Sequence, residues 1–315
     1  EGAVDGHVQE VCMSIAETVT AGILSYNRLN DLRTTLDAVL AIEGLRVLVV
    51  ENASTDGTVE ALRGMLDYPT TRKRLRVHFL DVNTGIAARN RMFDLIDTPY
   101  LLTLDDDSWP RSGQDVLAML QCMESDERIA SVCAACIHPI TRVAETERIE
   151  RFASTETAAG VFDVVNIAAG GTLLRMKAVR ETSGYAEEFF WGREENDLAF
   201  QFLQRGWRVV FLPDAVIWHS LSPAGRFTHE RLFRITRNSF WLLWKYFPRT
   251  VALPASLLYV MRRLLPCMRH PNRLPPVLRG IGAGYGGIFK YPAGHRFSIR
   301  ESFALRGWFR KLLYE

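Results

Sequence analysis

Three consecutive aspartates, Asp105, Asp106 and Asp107, close the apolar run Tyr100-Leu101-Leu102-Thr103-Leu104. Carboxylates this close repel one another and raise each other's pKa unless a cation sits among them. Oxygen donors of this kind suit Mg²⁺ or Mn²⁺, which bind through a few carboxylates together with substrate phosphates. A plainer origin is an acidic turn in which Asp107 or Ser108 caps the next helix. A second acid cluster, Glu194-Glu195-Asn196-Asp197, opens a helical segment, where acids also complement the helix dipole. The dipole accounts for the acids but not for the aromatic run Phe189-Phe190-Trp191 just before them. Downstream, Pro213 to His219 places a histidine at the end of an apolar run, from which it could complete a metal site with the aspartates. A lone histidine is more often structural.

The run before the aspartates is short, apolar and continuous, as in a buried strand of a parallel sheet. Similar runs predict strands at Val19–Leu24, Val47–Val50 and Leu75–Leu80, with helices at Leu29–Ile42, Thr58–Leu66, Ile86–Ile96 and Gln114–Glu124 between and after them. This β-α rhythm implies an α/β fold with a mostly parallel sheet, and ligands then bind beyond the carboxyl ends of the strands. Three more segments fall on that edge: Ser25-Tyr26-Asn27-Arg28, Glu51 to Gly57, and Asn83 to Asn90. Tyr26 can stack on a nucleobase, Glu51 can accept from a base or ribose, and Gly85 opens a helix whose start favours anions. Each has a local alternative: a helix cap at Asn27 or Asn30, a turn at Ser54–Gly57, a surface ion pair for Arg89. Past Arg128 the rhythm loosens. Val161–Leu174 reads as antiparallel strand material around Gly170-Gly171, Glu194–Arg205 as a helix stopped by Gly206, and Val209–Leu212 and Ala215–Trp218 as two short strands. After His219 come basic, aromatic helices broken by Pro248, Pro254, Pro266 and Pro271. Gly282–Gly287 spells G-x-G-x-x-G, but it follows a proline-rich turn and reads as a flexible loop.

With 315 residues, 48% of them hydrophobic, the chain is long enough for one large domain and an appendage. Its formal charge of +2 hides an asymmetry. Residues 221–315 hold 17 Lys and Arg against three acids, whereas residues 1–220 carry a net −12. An acidic half joined to a basic tail suggests a metal site beside a surface for an anionic partner, such as a membrane face. No signature of nucleic-acid binding is present. Five cysteines without framework spacing fit a reduced, cytoplasmic protein. Cys133 and Cys136 fall three apart on a predicted strand, so their thiols point to opposite faces. Val251–Leu265 is too short for a membrane span and contains Arg262 and Arg263. No signal peptide is evident, and residues 1–17 read as a lead-in.

Taken in order, these segments resemble a nucleotide-sugar-dependent glycosyltransferase of family 2 with the GT-A fold, in a bacterial polysaccharide or rhamnosyltransferase-like branch. The resemblance covers roughly residues 18–247 and rests on Ser25–Arg28, Val49–Thr58, Asn83–Asn90, Leu104–Asp107, Gly170-Gly171-Thr172, Glu194–Leu198 and Pro213–His219, with Arg237-Asn238 in the first tail helix. It implies a catalytic domain over 18–220, with a donor half to about 110 and an acceptor half from about 111, and a helical basic region over 221–315. It implies that Ser25, Tyr26, Arg28, Glu51, Asn83 and Arg89 serve the donor, and that Asp105 and Asp106 hold ribose. Asp107, with Asp105 and His219, would bind Mn²⁺ or Mg²⁺. Glu195 stands at the general-base position, with Gly171, Trp191 and Glu194 on the acceptor side. Departures from the family pattern are Leu24 for the usual Pro, Glu51 and Glu195 for the commoner Asp, and Gln201 where Arg is frequent.

The expected activity is therefore inverting, metal-dependent transfer of a sugar from a UDP-, dTDP- or GDP-linked donor to a saccharide, lipid-linked or other hydroxyl acceptor. The expected location is the cytoplasm, with peripheral contact at the inner membrane face through 221–315. There Phe227, Phe233, Phe240, Trp241, Trp244, Tyr246 and Phe247 would sit at headgroup level, the equal alternative being ordinary core helices with a solvated basic face. Two rivals remain at this point. A sugar-1-phosphate nucleotidyltransferase would want a glycine-rich basic loop after the first strand, where this chain has Ser25-Tyr26-Asn27-Arg28-Leu29. A catalytically silent sugar-nucleotide-binding scaffold would not need both carboxylate clusters and His219.

Overall fold

The computed structural model describes residues 15–144, 155–156, 160–168, 170–220, 228–291, 296–305, 308–309 and 312. Most of the lead-in and Phe227 lie outside them. The chain begins β1 (Val19–Ser25), α1 (Leu29–Ala41), β2 (Arg46–Glu51), α2 (Thr58–Leu66), the single turn α3 (Pro69–Arg72) and β3 (Leu75–Phe79). A 3₁₀ turn at Gly85–Arg89 runs into α4 (Asn90–Leu95), then β4 (Tyr100–Asp105), β5 (Ser108–Pro110), α5 (Gly113–Glu124) and β6 (Ile129–Ile137). Short strands β7 (Thr155–Glu156) and β8 (Phe162–Asp163) precede β9 (Thr172–Arg175), α6 (Met176–Arg180), α7 (Glu194–Gln204) and β10 (Arg208–His219). The tail is α8 (His229–Tyr246), α9 (Arg249–Arg269), α10 (Leu274–Tyr285), α11 (Gly287–Lys290) and α12 (Ile299–Ala304).

One sheet organises the first two thirds, in the order β3-β2-β1-β4-β9-β6-β10-β8-β7, with β5 paired to β10. β3, β2, β1 and β4 run parallel, and the apolar runs of β2, β1 and β4 are covered on both faces. That accounts for their lack of alternation. β9 is antiparallel between β4 and β6, while β10 runs parallel to β6. The register brings Ser25, Glu51 and Asp105 to one edge, because Ser25 pairs with Glu51 and Leu24 with Asp105.

Several expectations are corrected. β10 is one strand rather than two, with an irregularity between Leu212 and Val216, where Pro213 can donate nothing to the ladder. The helix expected over Ile86–Ile96 begins as the 3₁₀ turn. Pro254 and Pro266 lie inside α9, which runs 21 residues and is long and apolar enough, by length and composition, to cross a membrane. Both prolines face outward within two turns of a helix end, so the carbonyls they leave bare are within reach of water. Gly280, Gly282 and Gly284 are helical, on α10 rather than in a loop. At Gly280 and Gly284 the role is close approach. A Cβ at Gly284 would meet Phe240 of α8 at 2.7 Å, and one at Gly280 would meet Thr236 at 2.8 Å.

The tail aromatics do not face outward either. Phe240, Trp241, Trp244, Tyr246 and Phe247 are buried in a second core with Phe189 and Phe200 of the preceding region, and Phe233 is half-buried. The ring of Phe200 meets Tyr246, Phe247, Phe297 and Trp308 edge-on at 5.1–5.7 Å. Such edge contacts add to the area each ring removes from water, and they fix the tail to α7.

Candidate active site

The loops after β1 and β2 are tied to each other. Asn27, at φ 53°, accepts from the Thr55 amide at 2.7 Å, and its own amide donates to Ser54 Oγ at 2.9 Å. Asn tolerates this left-handed backbone better than most residues. Asp56 accepts from the Leu29 amide at 3.0 Å. Glu51 is buried, with its two carboxylate oxygens accepting from the Ser54 amide at 2.7 Å and the Ala53 amide at 3.2 Å. The adjacent Ser25 hydroxyl is buried with no partner among the described residues. Tyr26 is exposed on the same lip. Asn83 accepts from Asn52 Nδ2 at 3.0 Å and from the Gly85 amide at 2.8 Å, which shapes the loop after β3.

The aspartates occupy the turn from β4 to β5. Asp106 is buried and accepts from Arg28 Nη1 at 3.1 Å and from the Tyr26 amide at 3.3 Å. Burial pushes its carboxyl up to about 7; Arg28 opposes the shift, and Asp105 and Asp107 add to it. Arg28 Nη1 also lies 3.4 Å from Asp107. Asp107 Oδ1 is 3.1 Å from His219 Nε2 at the end of β10, so the histidine reaches the aspartates as its strand position implies. Ligand atoms of Asp105, Asp107 and His219 all lie within 4.8 Å of one another. Two carboxylate oxygens and one imidazole nitrogen form a donor set that fits Mn²⁺ or Mg²⁺. Gly170 keeps the space open, since a Cβ there would come within 2.9 Å of Asp105 Oδ2.

Arg89 is wholly buried rather than lying on the donor surface or at an exposed ion pair. Its Nη2 donates to Asp105 Oδ1 at 2.5 Å and to the Leu104 carbonyl at 3.2 Å. Burial alone would lower its pKa; Asp105 overrides this, with Tyr185 and Glu195 adding, so the guanidinium stays charged. Arg89 thereby stands between the aspartates and the second acid cluster.

That cluster opens α7 after a tight loop in which Phe190, Gly192 and Arg193 all have positive φ. The loop is held from the tail. Asn238 Nδ2 donates to the carbonyls of Phe189 at 3.1 Å, Trp191 at 3.1 Å and Gly192 at 2.6 Å. Arg193 Nε donates to Ser239 Oγ at 3.1 Å. Buried Asp197 accepts from Lys245 Nζ at 2.7 Å, Tyr246 Oη at 2.9 Å and Gln201 Nε2 at 2.9 Å. The Phe190 carbonyl accepts from the Ile86 amide at 2.8 Å, and Gly85 lies against it where a Cβ would clash. Glu194 is buried and Glu195 half-buried, and their side chains share a hydrogen bond. Burial pushes Glu194 well above the usual carboxylate range, and the neighbouring Glu195 charge adds to it. Glu195 is raised by burial, with Arg89 opposing and Asp105 adding. The two acids thus form a contacting pair, both raised chiefly by burial.

Trp191 is exposed, with the Arg231 guanidinium carbon 4.7 Å from its ring centre. Gly171 is buried against Ile217 and Cys136, so it is Gly170 that borders Asp105. Sequence reasoning missed Tyr185 and Lys245, whose roles depend on partners far along the chain. Asn238 was flagged only through a resemblance.

Residues 20–183 match the family described as glycosyl transferase family 2. No match is found among curated protein sequences. Among solved structures the chain is similar to a mannosyltransferase, PcManGT from Pyrobaculum calidifontis, in complex with GDP-Man and Mn²⁺. The identity is 16%, the TM-score 0.58, and the coverage 99% of this chain and 91% of that one. S. aureus TarS 1-349 in complex with UDP-GlcNAc gives 13%, 0.58, and 86% and 81%. GalNAc-T7 with UDP, GalNAc and Mn²⁺ gives 14%, 0.56, and 70% and 47%, so the chain spans about half of that protein and 39% of the longer TarS chain. Likeness at these identities establishes a GT-A architecture, and the match over residues 20–183 establishes kinship: the chain belongs to glycosyl transferase family 2.

Proposed function

We propose that the protein transfers a sugar, with inversion, from a nucleoside-diphosphate donor to an acceptor hydroxyl. The observation that carries this reading is the pairing of two acid clusters across Arg89, one suited to a divalent cation and one carrying a base. Asp105, Asp107 and His219 would hold Mn²⁺ or Mg²⁺. When bound, the cation would offset the charge that grows on the leaving diphosphate. Ser25 and Tyr26 border the space for the nucleoside, and Arg28 keeps Asp106 and Asp107 in place. Glu195 removes the proton from the acceptor hydroxyl, which attacks the anomeric carbon from the face opposite the diphosphate. General-base help of this kind contributes roughly 10²–10⁴-fold. Glu194, raised by burial, contacts Glu195 through a hydrogen bond that favours the Glu195 carboxylate. The acceptor, a saccharide or lipid-linked hydroxyl, would enter beside Trp191, whose exposed indole lies under the Arg231 guanidinium.

The experiment is a thermal-shift and donor-hydrolysis screen against UDP-, dTDP- and GDP-linked sugars, with and without Mn²⁺. Stabilisation by one donor class that needs Mn²⁺, together with slow release of its diphosphate, is the expected result. Formation of a nucleotide sugar from a sugar 1-phosphate and a nucleoside triphosphate would replace this reading with nucleotidyl transfer.

A further inference from the structure

The outward side of α9 is apolar along its length, although its inward side is already packed into the second core. Ala252, Ser256, Tyr259 and Cys267 are turned inward and buried, and Arg263 reaches α8, donating to Thr236 Oγ1 through Nε at 3.2 Å and Nη2 at 3.1 Å. The outward side carries Leu253, Leu257, Met261, Leu265 and Met268, which are 60%, 61%, 57%, 57% and 81% exposed. Steps of four, four, four and three residues align them in one stripe along the helix. Leu258, with Leu274 and Leu278 of α10, is exposed as well. An ordinary surface helix has the reverse arrangement, and a continuous apolar surface of this extent marks a site of interaction.

Charge decides what fits it. From Arg231 to Arg300 the sequence holds 13 Lys and Arg and no Asp or Glu. Arg249, Arg262 and Arg269 on α9 and Arg279 on α10 are exposed on the same two helices as the stripe. A second copy docked about a two-fold axis would bring these like charges together. A sheet of phosphate headgroups over acyl chains complements both features at once. Because the inward side is packed into the second core and bonded to α8, only one side of the helix is available to lipid. We infer that α9 lies in the plane of an anionic membrane surface, its leucine and methionine stripe among the upper acyl chains and its arginines against the headgroup phosphates. This face is distinct from the buried tail aromatics. Thr236, which anchors Arg263, stands two residues from Asn238, so the helix that grips α9 also grips the loop before Glu195.

The test is co-sedimentation of the full chain with vesicles of phosphatidylcholine alone and of phosphatidylcholine mixed with phosphatidylglycerol, at low and high salt. The chain is expected to bind the mixed vesicles, more weakly as salt rises, and to leave phosphatidylcholine largely unbound. Leu257→Glu combined with Met261→Glu should lower that binding roughly tenfold or more without moving the unfolding midpoint, since both side chains point away from the core. Equal binding to both lipids, or none to either at low salt, overturns the inference. So does mixed-vesicle binding that survives the double substitution. A dimer in solution that the same substitution disperses also overturns it, because the face then belongs to a second copy.

Discussion

The guanidinium of Arg89 sits wholly inside the protein, 2.5 Å from the Asp105 carboxylate at the end of β4. It also counters the charge of Glu195 at the start of α7. One buried cation thus couples the candidate metal-binding edge to the candidate base. Arg89→Met should cost at most about 3–5 kcal/mol of stability, because it removes the buried cation that faces the half-buried carboxylates of Asp105 and Glu195. It should also raise the Glu195 carboxyl further. Chemical denaturation and the pH–rate profile check both: activity at neutral pH falls, and part of it returns at higher pH.

Removing the metal ligands should separate donor binding from folding. Asp107→Ala is expected to abolish the Mn²⁺-dependent part of nucleotide-sugar affinity, and chelation by EDTA should do the same to the unmodified protein. His219→Ala should give the milder loss, since water can replace a neutral ligand. Titration calorimetry with and without Mn²⁺ measures each; unchanged affinity in Asp107→Ala would remove Asp107 from the metal site.

The β-α rhythm was legible because β1, β2 and β4 are buried on both faces and so read as unbroken apolar runs. The aspartates at the end of β4 and His219 at the end of β10 followed from strand position alone. Arg89 was read as a donor contact or surface partner because nothing local marks a burial that Asp105, Tyr185 and Glu195 impose from other elements. The tail aromatics read equally as a membrane belt or as the inner face of core helices for a similar reason. Their partners, Phe189 and Phe200, lie more than 30 residues upstream, and periodicity does not say which core a ring joins. Proline in a helix interior signals a break, yet at Pro254 and Pro266, near the ends of α9, a missing amide costs less.

Asn238→Ala should loosen the loop that carries the base. It removes three hydrogen bonds to the carbonyls of Phe189, Trp191 and Gly192. Buried acceptors left unmet cost about 1–3 kcal/mol. The KM for acceptor should rise several-fold while donor affinity stays close to that of the unmodified protein. Steady-state kinetics against varied acceptor, beside donor titration, distinguishes this from general damage.

Glu194 gives a stability signature in pH. Its folded carboxyl lies above its unfolded value, so the native state holds the proton more tightly. That contribution is complete at acid pH below the ordinary carboxylate range and is lost as pH rises through the folded value. Glu194→Gln keeps the side chain neutral, so its unfolding midpoint should decline less from mildly acid to alkaline pH. Parallel slopes for the two proteins would show that Glu194 is not the group that holds the proton.

The most direct measurement compares Glu195→Gln with the unmodified protein for Mn²⁺-dependent donor binding and for sugar transfer in the same preparation. The substitution keeps the shape and removes the base. Donor affinity should stay within a few-fold, while transfer falls by roughly 10²–10⁴-fold. In the unmodified protein the acidic limb of the rate profile should lie above the usual carboxylate range, with activity lost as pH falls, because a raised Glu195 must be unprotonated to act. Full transfer activity in Glu195→Gln, with loss in Glu194→Gln instead, would contradict the assignment of the base.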